Sequence, residues 1–185
     1  MIPDLKNGYH AQSFGGVVRL VKPREVLALT GLSADQLREW TVRRALIQPD
    51  VPAQKRGSEA KFTWQTVLLL RLAVVLRSRF HVELQAHRDL LVAARELLVG
   101  SSFPGLWGTA LAIYDLRRCE LLSARAPLSE DEDVVLLRLD RHLEVLSQGF
   151  GLPSPLAQLP LFPALALRGG EGNEVTARLA KGGRP

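Results

Sequence analysis

Apolar and polar positions change period several times along this chain. From Pro23 to Gly31, Val26, Leu27 and Leu29 supply the apolar face of a short helix. Pro23 suits its start, where a missing N–H would be an orphan anyway, and Thr30-Gly31 ends it. Leu32 is an apolar turn residue. Ser33 then reads as an N-cap with Gln36 at capping-box spacing, which predicts a second helix over 33–44. Leu37 and Trp40 fall on its inner face, leaving Gln36, Arg38, Glu39 and Arg43 outside.

Pro49 and Pro52 break any helix beyond that, and Ala45-Leu46-Ile47 is expected to pack under a hairpin. Lys55-Arg56-Gly57-Ser58 reads as its turn, bearing two cations, from which Lys61-Phe62 returns as a short strand. Thr63 caps a predicted third helix over 64–79, with Val67, Leu68, Leu70, Leu72, Val75 and Leu76 for burial. Phe80 and His81 mark a break. A fourth helix is predicted over 82–99 on Leu84, Leu91, Ala94 and Leu98.

After a loop at 100–108, TALAIYD (109–115) and RCELLS (118–123) read as a hairpin. The run VVLLRLDRHLEVL (134–146) fits two templates. Val135, Leu139, Leu143 and Leu146 make a helical stripe. Leu137, Leu139, Leu143 and Val145 make a strand face. The preceding acids, Glu130 to Asp133, favour helix, because a helix N-terminus attracts negative charge. Residues 153–163, apolar and proline-rich, are expected to drape over a neighbour. Trp40, Phe62 and Trp64 have the spacing of core residues.

These elements predict a mainly α chain, α+β overall. The expected organisation is a flexible arm over 1–20, with a short strand near 17–21, a first domain over 21–99, a smaller α+β module over 100–168 and a disordered tail over 169–185.

Composition sharpens this. Of 185 residues, 46% are hydrophobic, enough for a real core. Net charge is +5 and unevenly spread: residues 19–79 carry twelve Lys/Arg against five Asp/Glu, and residues 80–150 carry seven against eleven. A phosphate backbone attracts the first kind of surface. The one cysteine, Cys119, excludes an internal disulfide and fits a reducing cytoplasm. No basic-then-apolar opening predicts a secretion signal, and the apolar run at 67–76 is too short and too charged to span a bilayer.

Helix, turn, helix and basic hairpin, in that order, have the sequence shape of a winged helix-turn-helix. REVLALTGLS, LREW, the RGSEAKF wing, FTWQTVLLLR and the LRSRFHVEL junction together resemble the MerR family of transcription regulators, over roughly residues 21–99. The resemblance implies a two-helix extension after the wing and a homodimer on near-palindromic double-stranded DNA. It implies a recognition helix in the major groove, with Ser33 at its start, Gln36 on an adenine edge, Arg38 on the backbone, Arg43 on a guanine or a phosphate, and Arg44 beside them. Lys55, Arg56 and Lys61 would hold flanking phosphates, with Ser58 as a neutral donor and Arg24 as a further basic position. The sequence departs from the family pattern in two places. Glu39 precedes Trp40 where paired aromatics are usual, and TVRRALIQP is one residue longer and lacks the common glycine.

No catalytic constellation stands out: no phosphate-cradling glycine loop, nucleophile elbow or His-Glu-x-x-His motif occurs. The expectation is a cytoplasmic, nucleoid-associated binder and not an enzyme, with no cofactor, no metal and no membrane partner. Cys119 has no second cysteine, and His81 and His87 are wrongly spaced for one helix face. Phe103, Trp107 and Tyr114 are expected in core packing, with an effector pocket as the competing reading. Two other functions compete with a regulator: a DNA-bending, excisionase-like accessory factor, and an antitoxin- or adaptor-like module that binds a protein through the C-terminal half.

Overall fold

A computed structural model describes residues 19–55, 57–127 and 132–155. Arg56, Glu130, Asp131, most of the N-terminal arm, the proline-rich segment beyond Pro155 and the tail lie outside the described residues. Five α-helices and a three-stranded antiparallel sheet make an α+β fold.

Helix α1 (Pro23–Thr30) begins with Lys22 N–H donating to the Glu25 carboxylate at 3.0 Å and ends on Gly31, left-handed at φ 75°. Helix α2 (Ala34–Arg38) has the expected reciprocal cap. Gln36 N donates to Ser33 Oγ at 3.1 Å, and Ser33 N donates to Gln36 Oε1 at 3.0 Å. The helix then widens into a π turn, Glu39–Arg43, where Arg44 N donates to the Glu39 carbonyl at 2.8 Å. Val51 pairs with Lys61 in a minimal hairpin, and Phe62 pairs with Val21. Val21 makes a single bridge and not a strand, while Val17 and Val18 of the expected strand lie outside the described residues.

Helix α3 (Trp64–Phe80) is the centre of the molecule. Thr66 through Leu70 are all buried, as are Leu72, Ala73 and Leu76. A helix buried on all sides must be covered from several directions. Helix α1 packs on it, as do α4 (Arg88–Val99) and α5 (Asp140–Phe150). Gly149 allows α5 to close on α1, because a Cβ there would lie 2.5 Å from Leu29 Cδ2. One cluster of buried side chains runs from Val21 to Phe150.

Two helical expectations are corrected. The fourth helix starts at Arg88 and not at 82. His81 caps α3 in the left-handed region at φ 55°, and a turn over 84–87 comes next, so Val82 and Leu84 are buried without being helical. The run 134–146 is split. Val134–Arg138 is strand β3 and α5 begins at Asp140. β3 supplies the hydrogen bonds that β1 (Thr109–Tyr114) lacks on the side away from β2 (Arg118–Ser123), with Leu111 facing Leu137 and Ile113 facing Val135. Of the acids before it, Glu132 and Asp133 therefore do not open a helix, and Glu132 pairs with Arg118 at 2.8 Å. Leu139, fully buried, is the joint, its N donating to Thr109 O and its carbonyl accepting the first helical bonds.

Asp50 ties the hairpin to the core. Its carboxylate accepts from Thr63 N at 2.7 Å and Thr66 Oγ1 at 3.0 Å, and Arg95 of α4 reaches it at 3.4 Å. Asp50→Ala strands a helix-start N–H and a half-buried guanidinium together. We expect a loss of about 2–3 kcal/mol in urea unfolding, with Asp50→Asn losing less.

Candidate nucleic-acid interface

The residues singled out from the sequence stand on α1, α2, the π turn and the hairpin. Arg38 is exposed on α2, and Val42 and Arg43 are exposed on the π turn, Val42 to 68%. Leu37, Trp40 and Thr41 face inward, with Thr41 Oγ1 donating to the Leu37 carbonyl at 2.7 Å. Arg24 is exposed on α1, and Lys55, Ser58 and Lys61 on the hairpin. Ser58 holds the turn itself: its N–H donates to Lys55 O at 2.9 Å and its Oγ to the same carbonyl at 2.8 Å. Gly57 completes it at φ 91°.

Three of these residues are partly occupied inside the protein. Gln36 uses one lone pair of Oε1 in its cap, which leaves its amide N–H groups and the second lone pair of that oxygen. Arg43 meets Glu39 at 3.3 Å. Arg44 meets the same carboxylate at 2.6 Å and also donates to Gln85 Oε1 at 2.6 Å, while its carbonyl accepts from Arg88 at 2.6 Å. The hydrogen bond from Arg44, then that from Arg43, holds the Glu39 carboxyl below its ordinary range. Glu39 thus orders two arginines of the turn.

The π turn takes up one residue more than an α-helical turn would at the start of TVRRALIQP. The carbonyl of Trp40 accepts from both Leu46 N and Ile47 N, at 2.8 and 3.2 Å, which folds the chain back into the core. That reversal puts Ala45 at φ 47°, in the left-handed region.

A groove of about 280 Å³ lies between α2 and residues 83–85, with Gln36, Arg43, Arg77 and Gln85 on its walls. Asp35, Glu39 and Glu83 line it too. Sequence reasoning missed Arg77, Gln85, Arg88 and Val42. For Arg77 the only signal was its outward place at the end of an apolar run; the others depend on the turn that replaces the start of the fourth helix and on the widened helix.

Phe103 is buried edge-on between Trp64 and Trp107, at ring separations of 5.1 and 6.1 Å. Tyr114 stands apart from them, donating to Glu120 Oε1 at 2.6 Å, which raises its pKa. Burial pushes the Cys119 thiol up to about 11. Among the described residues, no group of three or more His, Cys, Asp or Glu could hold a metal ion, and no helix is long and apolar enough to cross a membrane.

In comparison with known proteins, no family model matches the chain and no curated protein matches it.

These geometries bear on stability at two positions. Ala45→Gly relieves a left-handed alanine and should raise stability by about 1 kcal/mol in chemical denaturation. His142 is held to about 4 by burial first, then by Arg71 and Arg79. The folded state therefore refuses a proton that the unfolded chain accepts near the ordinary value of 6.5. Stability contributed by the neutral ring is fully present above that value and is lost as pH falls toward 4, by about 2 kcal/mol in all. His142→Gln should flatten that slope in thermal melts taken across the window.

Proposed function

We propose that this protein is a sequence-specific DNA-binding transcription regulator of MerR-like type. In this reading it is a winged helix-turn-helix: α2 and its π turn enter the major groove, and the hairpin lies on flanking phosphates. One observation carries the proposal. The side chains of Arg24, Arg38, Lys55 and Lys61 have no carboxylate partner among the described residues. They stand on successive elements seated on one core through Val26, Leu37, Trp40, Phe62 and Trp64.

Unpaired cations on a rigid frame suit phosphate, where counterion release supplies affinity. Arg43 suits a guanine, and the exposed methyls of Val42 suit a thymine methyl. The amide of Gln36 keeps its N–H donors and one lone pair of Oε1, which suits the donor and acceptor of an adenine edge. Homodimerisation on an inverted repeat belongs to the same reading.

Selection of bound fragments from a random DNA pool tests it, at two salt concentrations. The expected outcome is an inverted repeat. Arg38→Ala/Arg43→Ala should lose the motif and weaken binding at least about tenfold. Weak, salt-sensitive binding without a motif would refute specific reading. A second reading, a protein-interaction module, is favoured by Val92 and Val99 on α4, exposed to 50% and 61%. Failure of the selection, together with a partner whose capture Val92→Asp abolishes, would favour it.

A further inference from the structure

A second basic site lies away from the groove beside α2. Arg71, Val75 and Arg79 recur at one-turn spacing on α3 and form one wall of a cleft of about 520 Å³. The end of β3 and the first turn of α5 close it, with Arg138, Arg141 and His142. Arg77, which lines the groove beside α2, is absent from this cleft. At about 100° per residue, positions 77 and 79 point to opposite sides of α3.

The cleft gathers four guanidinium groups, and no acidic residue lines it among the described residues. Arg71 is used internally: it donates to the Leu29 carbonyl at the end of α1 and, at 3.3 Å, to His142 Nδ1. A neutral ring that accepts at Nδ1 carries its proton at Nε2, which leaves a further donor on a lining residue. Burial and the neighbouring Arg71 and Arg79 keep that ring neutral. The side chains of Arg79, Arg138 and Arg141 make no ion pair among the described residues. Like charges collected in a recess repel one another and are relieved by a bound anion.

The rim is apolar. Phe80 is 47% exposed and Leu136 38%, two of the few large hydrophobic side chains left to solvent among the described residues. A single carboxylate occupies one guanidinium fork, whereas a phosphate monoester offers three oxygens to several. The volume suits a small organic molecule.

We propose that this cleft binds a small phosphate monoester, its phosphate among Arg79, Arg138 and Arg141 and its apolar or aromatic body against Phe80 and Leu136. The site stands independently of the DNA reading, since it uses other residues on the other side of α3.

Calorimetric titration of the full chain with phenyl phosphate, inorganic phosphate and phenol tests it. Phenyl phosphate should bind saturably, at least about tenfold more tightly than either of the other two. Arg138→Ala/Arg141→Ala, two exposed positions outside the core, should weaken it about tenfold or more while leaving the melting temperature and any DNA binding unchanged. Absence of saturable binding would overturn the proposal, as would binding indifferent to the double variant. Equal affinity for phenyl and inorganic phosphate would overturn the role of Phe80 and Leu136. Loss of DNA binding in the double variant would instead make the cleft part of a nucleic-acid surface, and would equally overturn it.

Discussion

The burial of α3 on all sides from Thr66 to Leu70 is the constraint on which the rest of the structure depends. From Thr66 to Leu70 the helix has no solvent face, so it cannot stand until α1, α4 and α5 cover it. The helices that cover it come from both ends of the described chain. The apolar area removed from water there supplies much of the driving force for folding. It also fixes the more polar parts, because α1, α2 and the hairpin are seated on α3 or on residues that touch it. Asp50 adds direction to this seating: one carboxylate meets the start of α3, a threonine on its first turn and an arginine of α4.

The widened turn after α2 is a local departure with wider consequences. One additional residue in a helix of this length would rotate everything beyond it by about 100°. The π turn, with its i→i+5 hydrogen bond, takes up one residue more than an α turn, and Trp40 and Leu46 both remain in the core. The accommodation has a cost at Ala45, held left-handed, and a local compensation at Glu39, which orders Arg43 and Arg44. Charge and backbone geometry at this point are thus one arrangement. It leaves Arg38 and Val42 outward and binds Arg44 to the turn at Gln85.

Helix α3 also separates two chemical environments. Toward α2 its Arg77 shares a groove with three acids and several cations. On the other side, Arg71 and Arg79 face a recess whose described lining holds no acid. Arg71 links that recess to the end of α1 through the Leu29 carbonyl, so the helix that opens the basic half is anchored to a residue of the cleft. A ligand there and a nucleic acid on the other side would meet the same rigid helix from opposite directions.

The amino-acid sequence by itself determined the features that arise over a few residues. The reciprocal Ser33–Gln36 cap, the glycine end of α1, the Thr63 start of α3 and the 109–123 hairpin all come from interactions between near neighbours. The residues of the basic surface were legible too, as charge and spacing. Tertiary structure decided what depends on distant partners. Val134–Arg138 is a strand because β1, more than twenty residues earlier, has an open edge to be paired, and no local period could choose between that and a helix. Residues 82–87 leave the helix because His81 reverses the chain. The arginine cleft assembles residues 71 to 142 from three elements, and only folding brings such charges to one place. Local hydrogen bonds are written in neighbouring residues, whereas strand pairing and charge convergence depend on where the covered helix sends the chain.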